Sequence, residues 1–98
     1  MARLIWTQQA LDDLERLLHY IAKDAPVAAG RFAGKIVHRV EILQTNPLLG
    51  GLLPEDDRGV YRHILQGNYR IIYRLESDIV YLVAVHHAAR LLNAEDLN

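Results

Sequence analysis

The sequence predicts an α+β fold: one strand, an antiparallel helical hairpin, then a three-stranded antiparallel meander, with a short helix or frayed tail closing the chain. Three observations carry this. Apolar residues recur at helical spacing from Thr7 to about Thr45, interrupted at Asp24-Ala25-Pro26. After Gly59 come three short runs rich in β-branched and aromatic residues. Gly67-Asn68 lies between two of them as a two-residue hairpin turn. Helices and strands segregated along the chain in this way pack as helices on one face of a sheet.

Each element has its own cause. "RLIW" is a short apolar run that suits a first strand, and Thr7 follows it as a helix cap. In "TQQALDDLERLLHYIAK", Leu11, Leu14, Leu18 and Ile21 form a stripe that Leu17 widens. Asp12, Asp13 and Glu15 fall in the early turns, where the helix dipole favours them, and read as a solvated helix start. Pro26 suits the first turn of the second helix, which carries Ala29, Phe32, Ala33, Ile36, Val40 and Leu43 on one side. Gly30 and Gly34 share a side and are expected to allow close packing there. Asn46-Pro47 ends this helix, because the residue before a proline avoids the helical region.

"LLGGLLPEDDRG" reads as a loop by its glycines, proline and acids. "VYRHILQ", "YRIIYRL" and "DIVYLVAVHH" are the three meander strands, with Glu76-Ser77-Asp78 turning the second into the third. The closing segment is "AARLLNAEDLN".

Composition bounds the function. A chain of 98 residues fits one domain, and 51% apolar residues suffice for a core. A formal charge of −1 argues against a general nucleic-acid coat, and the absence of cysteine excludes disulfides and thiolate metal sites. Neither a signal peptide nor a membrane-spanning run is visible, so a cytoplasmic protein is expected. "LLGGLL" lacks the Lys and Ser/Thr of a phosphate loop.

The stretch "RGVYRHILQGNYRIIYR" holds Arg58, Arg62, Arg70 and Arg74 with no acidic residue. If Gly67 and Asn68 are the turn, Gln66 pairs with Tyr69, Leu65 with Arg70, His63 with Ile72 and Tyr61 with Arg74. Side chains alternate along a strand and match across a pair, so Tyr61, His63, Leu65, Arg70, Ile72 and Arg74 share a face. The opposite set, Val60, Arg62, Ile64, Gln66, Tyr69, Ile71, Tyr73 and Leu75, is more apolar and is assigned to the core beneath the helices. Arg70, Arg74, His63 and Tyr61 are then expected on an outer face as a cationic patch. His86 and His87 point to opposite faces, with Arg90 shortly beyond. Such a cluster suits an oxyanion, because a guanidinium fork matches its oxygens and an imidazole titrates near neutrality. Against this stand ordinary readings: strand arginines protect sheet edges, and Arg62 is expected to snorkel or to pair with Glu55, Asp56 or Asp57. Adjacent strand histidines diverge and lack a third ligand, so neither metal nor other cofactor is expected.

"WTQQALDDLERLLHYIA", "NPLLGG", "YRHILQGNYRIIYRL" and "VYLVAVHHAAR", in that order and over nearly the whole chain, resemble the RelE/ParE superfamily of toxins from type II toxin–antitoxin systems. "NPLLGG" before the hairpin and the "VHHAAR" ending are similar to its ParE-like branch. The resemblance implies a toxin that arrests growth and is neutralised by a cognate antitoxin, ParD-like or RelB-like. A ParE-like member implies inhibition of DNA gyrase without nuclease chemistry, in the setting of plasmid stabilization. A RelE-like member implies ribosome-dependent cleavage of mRNA, for which Arg70, Arg74, His63 and His87 are the candidates; the C-terminal tyrosine of those nucleases has no counterpart after Tyr81. An inactive relative that only binds its antitoxin is a third outcome. Candidate contacts for target or antitoxin are Arg58, Tyr61, Arg70, Arg74, His86, His87 and Arg90.

Overall fold

The structure is a computed structural model, and it describes residues 1–97. Strand β1 (Arg3–Trp6) leads into helix α1 (Gln8–Ala22), helix α2 (Pro26–Ile42), and strands β2 (Gly51–Leu52), β3 (Tyr61–Gln66), β4 (Tyr69–Glu76) and β5 (Ile79–His87). A 3-10 turn at Ala94–Asp96 is the short closing helix. Thr7 caps α1 by accepting the N–H of Ala10, and Pro26 occupies the first turn of α2. The second helix ends at Ile42, a few residues before the expected Thr45.

The sheet runs β1-β5-β4-β3-β2. Its centre is the expected antiparallel meander, and β1 adds to β5 in parallel. The segment expected to be wholly loop contributes β2, which pairs antiparallel with β3 through Gly51–His63 and Leu52–Arg62. Nothing in its composition distinguishes two residues that gain strand geometry only by lying along an existing edge.

Both sheet faces are covered. On one, Ala10, Ile36, Val40 and Leu43 of the helical layer and its exit pack on Ile64, Ile71, Tyr73, Val80 and Leu82. This is the assigned core face, although Val60 at its end is exposed. On the other, Tyr61, Ile72, Val83 and Ala84 are buried beneath Leu53 and Leu97. The outer face is therefore a second, smaller core, roofed by the loop before β3 and by the C-terminal segment. Gly30 and Gly34 do not serve close packing: a Cβ at either would meet open space. Gly50 does, since a Cβ there would lie 2.6 Å from the His63 carbonyl oxygen.

Candidate functional site

The β3–β4 hairpin has the expected register, from Gln66–Tyr69 out to Tyr61–Arg74. Gly67 supplies the turn with φ +59°, a left-handed conformation that glycine adopts without steric cost. Arg70 stands between Leu65 of β3 and His86 of β5 in one row across three strands. The next row holds His63, Ile72 and Ala84, and beyond it lie Tyr61, Arg74 and Tyr81.

The expected outward cationic patch is not what forms. Arg70 is buried, and its Nη1 and Nη2 donate to the two carboxylate oxygens of Glu55 at 2.9 and 2.8 Å. Arg74 pairs with Glu76 and lies 4.1 Å over the Tyr81 ring. Arg58 donates to Asp56 at 3.2 Å. Of the two outcomes expected for Arg62, pairing with the acidic cluster is not found; its Nη1 donates instead to the Gly50 carbonyl at 2.7 Å. Among the described residues, the four arginines thus meet the carboxylates of Glu55, Asp56 and Glu76 and the Gly50 carbonyl. Strand alternation marks which side a residue takes, but not what the rest of the chain lays over that side.

Tyr61 is buried, its hydroxyl donating to the Leu97 carbonyl at 3.2 Å beneath the C-terminal segment. His86 shares the face of Arg70, and its Nε2 lies 3.3 Å from the Arg90 carbonyl oxygen. His87 pairs with Tyr69 on the helix-side face, the rings 5.1 Å apart, and its Nδ1 accepts the Ala89 N–H. This separates His87 from Arg70, Arg74 and His63, the group it was expected to join in a nuclease. A β-bulge is the reason. Ile72 pairs with Ala84 but Tyr73 with Leu82, so Val83 is an extra residue that reverses the alternation beyond it. Arg90 lies exposed beside His86 and His87 on a groove of about 710 Å³, whose other wall is Arg16, Leu17 and Tyr20 of α1.

Local electrostatics follow from these pairings. The hydrogen bonds from Arg70 hold the Glu55 carboxyl below the usual glutamate range, against a smaller opposing effect of burial. Burial, and then the Arg70 charge, push His63 below its ordinary 6.5, which favours the neutral ring near pH 7. Burial acts to raise Asp56, but the N–H groups of Tyr61, Val60 and Arg58 with the Arg58 side chain outweigh it and leave the carboxyl lowered. Among the described residues, two buried side-chain nitrogens have no hydrogen-bond partner: Arg70 Nε and His63 Nδ1.

Two contributors escape the sequence reading. Glu55 is the internal ligand of Arg70, and the only signal for it is an acidic cluster ahead of an arginine-rich strand. Asp13 is not simply solvated: its Oδ2 accepts the Val85 N–H at 3.0 Å and ties α1 to β5.

Residues 4–92 match the family described as the ParE toxin of the type II toxin–antitoxin system parDE. The chain is 33% identical over 91 residues to Toxin RelE2 of Caulobacter vibrioides, an alignment spanning 93% of this chain and 100% of that protein. Its fold is similar to a solved structure of the chromosomal ParDE system of P. aeruginosa, with TM-score 0.73 and 22% identity over 89% of this chain and 96% of that one. A YoeB/ParE toxin from Agrobacterium tumefaciens is also similar, with TM-score 0.64 and 18% identity over 87% of this chain and 96% of that one.

Proposed function

The chain belongs to the ParE toxin family of type II toxin–antitoxin systems, whose toxins are paired with a cognate antitoxin, and from this premise we propose that it acts by binding a protein target, DNA gyrase, and so arrests replication and growth in the cytoplasm. The observation that supports this reading is the Arg70–Glu55 pair. A guanidinium fork suited to phosphodiester oxygens is already filled by an internal carboxylate. The acidic partners of Arg58 and Arg74 likewise reduce the local positive charge, in a chain of net charge −1. A face so neutralised suits a protein surface better than a polyanion.

The test is brief induction of the protein without its antitoxin, following DNA synthesis, translation and message integrity together. DNA synthesis is expected to stop first with messages intact, and purified protein is expected to block supercoiling by gyrase. Early cleavage of ribosome-bound messages while DNA synthesis continues overturns the proposal.

One observation favours the second reading, a ribosome-dependent mRNA endoribonuclease. Glu55, His63, Arg70 and His86 converge on the same sheet face and bring a carboxylate, two imidazoles and a guanidinium together. These are residue types that move protons and stabilise phosphate charge. In that case His63 or His86 would move the proton, and His87 would not. A chain causing neither arrest nor cleavage, yet binding its antitoxin, would be the inactive relative.

A further inference from the structure

We propose that Arg70 is the docking point for an acidic side chain of a protein partner, and that Glu55 holds this point in the unbound chain and leaves it by side-chain rotation alone. The inference deepens the protein-binding reading and rests on it.

The two members of the pair are anchored unequally. The Arg70 side chain is 8% exposed and fixed mid-sheet, whereas the Glu55 side chain is 31% exposed at the rim. The backbone on both sides of Glu55 is held. Leu53 is buried in the smaller core, and Asp56 accepts the N–H groups of Arg58, Val60 and Tyr61 at 3.2, 2.8 and 3.0 Å. Only rotation of the Glu55 side chain can therefore open the fork without unfolding the loop.

The closed arrangement is also incomplete. It leaves Arg70 Nε and His63 Nδ1 buried without partners, and buried polar groups left unpaired weigh against the state that contains them. An incoming residue that fills the two Nη positions and also brings an acceptor to Arg70 Nε is favoured over Glu55 by that further bond. A carboxylate is the occupant the site already accepts, planar and with two oxygens on the two Nη atoms. Leu65, directly across from Arg70, is 54% exposed, which suits an apolar residue beside the incoming acid.

The experiment titrates the purified chain with glutarate, and separately with inorganic phosphate, reading the Arg70 Nε–H and the His63 ring by NMR. Glu55→Gln and Glu55→Ala are both expected to bind glutarate at about tenfold lower concentration than the parent, because removing an internal competitor raises the open fraction. Adding Arg70→Lys to Glu55→Gln is expected to weaken that response, and adding Arg70→Gln to abolish it. The amide spectrum of each variant reads whether it is folded. Equal half-saturation in the parent and both Glu55 variants overturns the proposal, as does a glutarate response that survives in the folded Arg70 variants. Phosphate binding tighter than glutarate in Glu55→Gln also overturns it, by reassigning the fork to a phosphoryl ligand. No gyrase or ribosome enters these titrations, so their failure is separate from failure of the proposed target.

Discussion

The phenol oxygen of Tyr73 accepts the N–H of Gly50 at 2.9 Å and donates in turn to the Pro47 carbonyl at 2.8 Å. A central strand thereby grips the segment between α2 and β2, and "NPLLGG" acquires a physical meaning. Gly50→Ala would drive a methyl group into the His63 carbonyl and the Tyr73 ring, at 2.6 and 2.8 Å. The expected cost is about 1–3 kcal/mol or more, as for other overpacked sites. Tyr73→Phe leaves the Gly50 N–H and Pro47 carbonyl unpaired and is expected to cost about 1–3 kcal/mol. Denaturant unfolding checks both, and Gly51→Ala serves as the neutral comparison, because a Cβ there meets nothing.

The Asp13 tether gives a second prediction. Asp13→Ala removes the acceptor for the Val85 N–H in the strand that α1 covers. A stability loss of about 1–3 kcal/mol is expected. Hydrogen exchange at Val85 should accelerate more than at Ile71, which keeps its place in the strand ladder. Asp12→Ala, on the exposed side of the same helix, should leave Val85 unchanged.

The dependence of stability on pH should show two windows. His63 lies below its ordinary 6.5, so its contribution is fully present above that value and is lost as pH falls through the lowered folded one. Glu55 is likewise lowered from 4.5, so its contribution is present above 4.5 and disappears at more acidic pH. Stability measured across acid to neutral pH should therefore decline first below about 6.5 and again below about 4.5. His63→Gln is expected to flatten the first decline and Glu55→Gln to diminish the second, to which the likewise lowered Asp56 also contributes. An unaltered profile in either variant would show that the group named does not titrate with folding.

A fourth prediction concerns activity. Arg70→Ala with Arg74→Ala removes both paired arginines from the outer face. The double variant is expected to lose toxicity by at least about tenfold while remaining folded, since Arg70 is the proposed docking point and Arg74 lies along the same face. His87→Ala, on the opposite face, is expected to keep full toxicity. The reverse pattern would move the site to the other side of the sheet.

Much of the architecture could be read without coordinates. Thr7 and Pro26 announce their helices through capping and fixed φ, and Gly67-Asn68 sets the hairpin register because a two-residue turn admits one alignment. The site was less legible. Counting in twos from Val80 and Leu82 places His87 on the outer face, and the extra residue at Val83 places His86 there instead. A bulge depends on how neighbouring strands fit together, and no local preference in "LVAV" announces it. The Arg70–Glu55 pair joins β4 to an aperiodic loop fifteen residues earlier, across β3 and the hairpin turn, so no spacing rule could have found it.

The helical hairpin, the meander, its register and the toxin kinship were all readable from the chain, because these rest on interactions between residues near in the chain or on a pattern extending along it. Long-range packing set the rest: β1 lies parallel to β5, Leu53 and Leu97 roof the outer face, and Arg58, Arg62, Arg70 and Arg74 each have an internal partner. Those outcomes depend on which distant segments come to cover an already formed sheet. Coverage decides whether a guanidinium meets water, a partner or its own chain's carboxylate.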